Sequence, residues 1–418
     1  MEAASRKGTG KYVIFILLYL SWCISYIDRA AISIALASIG KEFQLDASVL
    51  GVVLSTFFVG YAIMQIPGGW LADKYGSKKV IMIAILMWSI FTVATGLAWS
   101  LTSLIVIRLL FGLGEGAFPA ASIKGVAEVF PKKDSPKMTS ALLSSNYIGS
   151  ALAPLLIAPM LISFGWRTMF LVIGVAGVLF VLVYGLIVRP AKTQERTAAG
   201  TEKAEEKALQ KQQMKELLKM PIMWQLVIAW FGLSLVNKGL DSWMPTYLLQ
   251  VRHLDLKSIG ILTPLPFIAA GISTAIGGWV MIRYFNGKEK YLLVISAALT
   301  AFFLYFMYTA QTVAMVITFQ SIVYFFKSFV LAASMALPVK MLAEKVVGTA
   351  AGMINFGGQA AGFVSPVIIG FMITAFSGSY DAAFWFLIGA ACLSAAASLT
   401  IRSRKTNDRS SDLDAALN

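Results

Sequence analysis

Apolar residues gather in twelve long blocks along this chain, at roughly 12–36, 48–70, 79–99, 101–124, 138–163, 167–188, 222–249, 257–283, 290–309, 311–340, 347–375 and 381–401. Each is about 20 residues or slightly more, the length at which an α-helix crosses a bilayer with some tilt. Backbone N–H and C=O groups find no water in hydrocarbon, so each block is predicted to be a helix. One long polar stretch, 189–220, interrupts the series and contains the helix-prone charged run Glu202-Lys203-Ala204-Glu205-Glu206-Lys207. It reads as a solvated linker on the cytoplasmic face. The predicted organisation is an N-terminal six-helix bundle over 1–188, the linker over 189–220, a C-terminal six-helix bundle over 221–402 and a cytoplasmic tail over 403–418.

The two halves repeat in one register. Gly68-Gly69-Trp70 ends the second block and Gly277-Gly278-Trp279 ends the eighth. At the same offset Asp28-Arg29 falls on Asn237-Lys238, Asn146 on Asn355 and Gly149 on Gly358. The fold class predicted is an all-α membrane protein of twelve transmembrane helices in two parallel six-helix pseudo-repeats.

Composition agrees with the pattern. Of 418 residues, 58% are apolar and 13% charged, against about a quarter charged in soluble chains. The net charge of +14 could point to nucleic acid, but its placement excludes that partner. Arg6, Lys7 and Lys11, then Lys74, Lys78 and Lys79, then Lys132, Lys133 and Lys137, Lys288 and Lys290, and Arg402, Arg404 and Lys405 occupy alternate loops. This asymmetry is the positive-inside rule, and it puts both termini in the cytoplasm of a multi-pass cell-membrane protein. Cys23 and Cys392 fall in apolar blocks and read as free, buried thiols.

Tyr26-Ile27-Asp28-Arg29 lies in the middle of the first block. Each such charge costs at least ~2.5–3.5 kcal/mol near the bilayer centre, so it faces the interior and seeks a partner. Arg108 and Glu115 in the fourth block are the available partners. They are seven residues apart, about 10.5 Å along a helix, and share one face. Two acids and two bases therefore meet in an apolar interior, either as ion pairs locking helices together or as a proton-coupled anion site. Lys238 and Lys327 add cations deep in the second half. Asp241 is available to Lys238 one turn on, and snorkelling is the plain reading for Lys124 and Lys340 at block ends.

Gly112-Leu-Gly114-Glu-Gly116 lies inside a membrane helix and follows no strand, so it signals close helix packing rather than nucleotide binding. The single histidine, His253, sits in a turn. No metal-ligand set and no nucleophile–base set is legible, so no cofactor, metal or enzyme activity is expected.

The loop Gly69-Trp-Leu-Ala-Asp73-Lys74-Tyr-Gly76-Ser-Lys78-Lys79 resembles the G-x-x-x-D-[RK]-x-G-x-[RK]-[RK] signature of the major facilitator superfamily. Gly69 would let a neighbouring helix approach, Asp73 would face another helix's N-terminus, and Lys74, Gly76 and Lys78 would complete the gating loop. In the second half Ile282 stands where the acid should be. With Tyr26-x-Asp28-Arg29 and Arg108-Leu-Leu-Phe-Gly-Leu-Gly-Glu115-Gly-Ala-Phe-Pro119, the chain is similar to the anion:cation symporter branch, which includes bacterial sugar-acid/proton symporters. The resemblance implies an importer of an organic anion such as a hexuronate, an aldonate or another carboxylate, working by alternating access. It implies proton coupling at Asp28 and Glu115, and a substrate path including Arg29, Tyr26 and Tyr61. Position adds Arg108, Asn237, Lys238 and Asn355. The implied partners are a small organic anion, protons and the lipid bilayer, with the protein a monomer. The rival is a drug or metabolite/proton antiporter. Tyr147–Pro154 resembles the antiporters' G-x-x-x-G-P motif only in part, because Ala153 replaces its second glycine.

Overall fold

The computed structural model describes residues 2–188, 217–341 and 344–401. Most of the predicted linker, including Glu202–Lys207, and the predicted tail lie outside them. Every predicted block has a helix. The elements are α1 (Glu2–Phe43), α2 (Ala47–Tyr75), α3 (Ser77–Gly96), α4 (Leu101–Gly116), α5 (Phe118–Val129), α6 (Ser135–Ile187), α7 (Pro221–Gln250), α8 (Leu256–Leu262), α9 (Pro264–Tyr284), α10 (Glu289–Thr309), α11 (Val313–Met341), α12 (Glu344–Ala375) and α13 (Asp381–Thr400).

Two blocks are each divided in two. The fourth breaks at Ala117, ahead of Pro119 in the first turn of α5. The eighth breaks at Thr263, ahead of Pro264. Proline lacks the N–H that would continue the ladder and fits a first turn, which explains both breaks. The fifth and sixth blocks run on as α6, and the chain reverses at Gly165 with φ 73°. That left-handed backbone favours glycine, so a single residue does the work of the predicted short loop.

The chain forms two compact units. Of the described residues, the first holds 2–188 with 239–268 and 363–382; the second holds 217–238, 269–341, 344–362 and 383–401. In the first, Leu18, Trp22, Ile81, Ile85, Trp88, Phe111, Phe118 and Tyr184 form the core. Glycines bring α2 and α4 together: a Cβ on Gly60 would lie 2.1 Å from the Leu109 carbonyl oxygen, and one on Gly112 2.2 Å from that of Phe57. In the second, Met223, Leu226, Leu293, Ala297, Val330, Ala350 and Ile354 form the core. Large apolar side chains such as Ile66 and Leu186, 87% and 85% exposed, cover the outside. Such a surface matches lipid rather than water. Cys23 is buried as expected, whereas Cys392 is exposed. An apolar block in a membrane protein has an outward face as well as an inward one, and Cys392 occupies the former.

Candidate functional site

The Arg29 Nε donates to Glu115 Oε1 at 2.8 Å, joining α1 to α4. Ser25, one turn before Arg29, donates to the same carboxylate oxygen. Three rings surround the guanidinium, with centroids 4.9 Å away for Tyr26, 5.1 Å for Phe57 and 4.6 Å for Tyr61. Aromatic faces attract a cation that has lost water, so this box offsets part of the burial cost. Packing sets the box. Trp22 stacks on Tyr26 at 6.2 Å and is held by its indole N–H on Ser122 Oγ at 2.9 Å. Gly149 lets α6 press on Cys23 and Tyr26, where a Cβ would come within 2.9 Å of both. Phe57 was not singled out in the sequence, although it lies one helical turn before Tyr61 on α2. That spacing was the available signal.

The expected partnership of Arg108 with the acids is corrected. Arg29 pairs with Glu115, while Arg108 forms no ion pair among the described residues. Arg108 is 1% exposed, donates from Nη2 to Thr95 Oγ1 at 2.6 Å and lies over the Phe111 and Phe170 rings. The shared face of Arg108 and Glu115 is real, but two helical turns separate their levels, and Arg29 stands at the level of Glu115. Asp28 is 2% exposed, with the Thr92 hydroxyl near enough to act on its carboxylate. Arg108 and Glu115 are both near enough to act on its charge. Glu115 is fully buried, with its Oε2 unpartnered. The site therefore holds one closed pair, and beside it an acid and a base that do not touch.

The loop between α2 and α3 departs from expectation at two residues. Gly68, not Gly69, carries the close approach: a Cβ there would lie 2.4 Å from Ala117 Cα, against 3.8 Å to Ala120 Cβ at Gly69. Asp73 takes Lys124 Nζ at 2.9 Å in an exposed pair, and the same ammonium donates to the Ala72 carbonyl at 2.9 Å. A lysine expected to snorkel thus ties α5 to the end of α2. Gly76 has φ 87° between α2 and α3, a conformation glycine adopts without strain. Lys78 Nζ reaches the Gly185 carbonyl at 2.9 Å, and Lys74 lies over Trp70 and Tyr75.

In the second unit, Asn237 and Lys238 are half-buried on α7 and Asn355 is exposed on α12. Lys327 is 7% exposed, with its Nζ 3.6 Å from the Tyr324 ring centroid. That places its ammonium inside the fold and excludes snorkelling. No cluster of metal-binding side chains occurs among the described residues.

With this geometry in hand, comparison places the chain. Residues 18–317 and 253–416 match the Major Facilitator Superfamily. The chain is 32% identical over 413 residues, 95% of each sequence, to the probable sulfoacetate transporter SauU of Cupriavidus necator. It is 28% identical over 382 residues, 90% of each, to the hexuronate transporter of Bacillus subtilis. Among solved structures, a bacterial homolog of the human lysosomal transporter Spinster superposes with TM-score 0.80 at 19% identity, covering 94% of this chain and 98% of that one. The D-xylose-proton symporter superposes with TM-score 0.73 at 16% identity, covering 93% and 96%. These likenesses show the fold.

The chain is a secondary-transporter-type, multi-pass membrane protein and not an enzyme. It belongs to the Major Facilitator Superfamily.

Proposed function

We propose that this protein imports a small organic acid with protons by alternating access. The observation that carries the reading is Arg29 in its aromatic box. Its Nε is committed to Glu115, and its terminal nitrogens donate to no carboxylate among the described residues. A guanidinium fork grips a carboxylate or sulfonate with parallel, charge-assisted hydrogen bonds. Relatives named as sulfoacetate, hexuronate and galactarate/D-glucarate transporters support that substrate class.

In this reading Tyr26 and Tyr61 hold the rest of the substrate, and Asn237, Lys238 and Asn355 are the second unit's candidates for contacts. Glu115 carries a coupling proton. Neutralising it releases Arg29 from its carboxylate partner, which links proton uptake to the anion site. Asp28 carries a second coupling proton, and Arg108 is the buried countercharge beside it rather than a direct ligand. Moving charge through the membrane potential costs ~2.3 kcal/mol per 100 mV per elementary charge, which favours neutral carriers during reorientation. The Asp73 loop gates the face where both termini lie, taken as cytoplasmic, and the protein works as a monomer.

The test is accumulation of labelled sulfoacetate, glucuronate and D-glucarate in proteoliposomes under an imposed pH gradient. Uptake toward the alkaline side supports symport. Gradient-independent equilibration removes proton coupling, and accumulation in the opposite sense establishes the antiporter.

A further inference from the structure

Arg167 lies two residues past the chain reversal at Gly165, and every nitrogen of its guanidinium is committed. Nε and Nη2 donate to Glu42 Oε1 at 3.0 and 2.7 Å. Nη1 donates to the Gly96 and Ala98 carbonyls at 3.1 and 2.7 Å. The Trp166 indole N–H holds the other Glu42 oxygen at 2.6 Å. Both charged side chains are over a third exposed, and an exposed ion pair adds little stability. The two carbonyls are the informative partners. They lie at the C-terminus of α3, where the helix dipole favours a cation. A Cβ on Gly96 would lie 2.5 Å from the Arg167 carbonyl oxygen. The end of α3 is thus seated on α6 at Arg167, backbone against backbone.

The turn of α3 held in this way carries the hydroxyls of the buried charged site. Thr95, fully buried, donates its own proton to the Phe91 carbonyl at 2.8 Å, which leaves its oxygen to accept Arg108 Nη2 at 2.6 Å. Thr92, one turn earlier, has its hydroxyl near enough to act on the Asp28 carboxylate. A second route runs along α6. Phe170 lies one turn past Trp166, with ring centroids 6.3 Å apart, and the Arg108 guanidinium is 5.8 Å from the Phe170 ring. Both routes start at the end of the bundle remote from the Asp73 loop, and both finish on Arg108.

We infer that Arg167 is a positioning residue for the buried Arg108: it fixes the last turn of α3 and the Phe170 ring, and so sets how strongly Arg108 favours the charged form of Asp28. Among the described residues, Arg108 and Glu115, both on α4, are the charged groups that act on Asp28, and α3 adds the Thr92 hydroxyl. Glu115 is closed onto Arg29, so Arg108 is the charge that a shift of α3 moves.

This role rests on the reading of Asp28 as a proton carrier, but its test needs no substrate. In the full-length purified protein, infrared difference spectra taken through a pH titration report the C=O stretch of protonated Asp28. The band is isolated by subtracting the same titration after Asp28→Asn. Arg167→Leu frees the end of α3, and Asp28 is expected to keep its proton to higher pH, moving the midpoint by about half a unit. Glu42→Gln leaves the Gly96 and Ala98 carbonyls with their donor and should move it less; a larger shift there than in Arg167→Leu overturns the route through α3. Asp46→Asn is the control. It weakens the cap on α2 at the same end of the bundle, where Asp46 accepts from the Val49 N–H at 2.9 Å, and its midpoint should match the parent's. A shift in this control as large as that in Arg167→Leu overturns the inference. So does a lower melting temperature in Arg167→Leu with an unmoved midpoint, which makes Arg167 a plain staple, and so does an Asp28 carbonyl that does not titrate. If Arg167→Leu fails to elute as a single species, Arg167→Lys replaces it, because one ammonium lacks the fork that reaches Glu42 and both carbonyls. A shift toward higher pH then supports the inference, and no shift overturns it. Gradient-independent uptake in proteoliposomes, with the Arg167-dependent shift intact, would count against proton-coupled transport alone.

Discussion

The two repeats handle charge in opposite ways. In the first, Arg29 and Glu115 close a buried pair at 2.8 Å, and Asp28 and Arg108 lie beside it. The repeat offset carries Asp28-Arg29 onto Asn237-Lys238, Arg108 onto Ile317 and Glu115 onto Tyr324. Where the first repeat sets a carboxylate beside a guanidinium, the second sets a phenol ring, one turn from Lys327 whose ammonium lies over it at 3.6 Å. The packing of α6 on α1 is nonetheless kept. Gly149 presses on Cys23 and Tyr26, and its counterpart Gly358 presses on Trp230 and Ser234. Backbone architecture is thus shared, while the first copy's buried carboxylate–guanidinium pair falls on residues of another kind in the second. Under the proposed proton coupling, Asp28 and Glu115 of the first repeat are the acids that ionise in only part of the cycle, and Lys238 of the second offers positive charge.

The sharpest way to break that contrast is to neutralise the closed pair. Glu115→Gln mimics the protonated acid and should abolish accumulation driven by a pH gradient, while exchange of labelled substrate persists. Wild-type accumulation in the variant would take Glu115 out of the coupling.

The next largest effect separates the two cations that the offset equates. Arg29→Lys keeps the charge and loses the planar fork, so anion binding should weaken by roughly 1.5–3 kcal/mol, the scale of a hydrogen bond to a charged group. Lys238→Gln should cost less, and should weaken a dianion more than a monoanion of similar size. Calorimetric isotherms for both ligands on both variants check this. Equal losses in the two variants would mean that the repeats contribute alike.

Packing offers a third comparison. Gly68→Leu meets Ala117 Cα and should lower stability by ~1–3 kcal/mol, the usual range for overpacking. Gly278→Leu, on the corresponding turn of the second repeat, has open space and should stay within about 0.5 kcal/mol. Thermal melts of the purified variants decide it.

The smallest effect is expected at the far end of α1. There Glu42 accepts Arg167 Nη2 at 2.7 Å and the Trp166 indole at 2.6 Å. The Arg167 hydrogen bond, with help from Trp166, holds the Glu42 carboxyl below its ordinary value. Folding lowers this pKa, so the stabilisation is complete above the unfolded value of 4.5 and is lost as pH falls through the native one. Both side chains are over a third exposed, so solvent screening limits the gain to at most ~1 kcal/mol. Melting temperatures of Glu42→Gln and the parent should converge as pH is lowered from 6 toward 3 (about the carboxylate range). A constant gap would assign Glu42 a packing role instead.

Much of this was legible in the chain. Blocks of apolar residues long enough to span a bilayer have one solution, the helix, because hydrocarbon offers the backbone no other partner. The repeat register and the Asp73 loop were readable for a similar reason: glycine, proline and charge are rare in such blocks and stand out. Asp28, Arg29 and Glu115 were visible as costly charges. Their pairing was not. Spacing placed Arg108 and Glu115 on one face, but the rotation and depth of α1 against α4 decided that Arg29, with Ser25 below it, reaches the carboxylate.

The same division holds for the glycines. Sequence by itself determined that Gly69, Gly112, Gly114 and Gly116 sit where helices can approach. Only the tertiary structure decided that Gly68 rather than Gly69 touches Ala117, that Lys124 crosses to Asp73, and that Gly51 and Gly260 meet the eleventh and the fifth block respectively. A local pattern carries periodicity, cost and propensity. It does not carry the sliding and rotation of one helix against another, and shifts of about one residue's rise, 1.5 Å, are enough to exchange one contact partner for its neighbour.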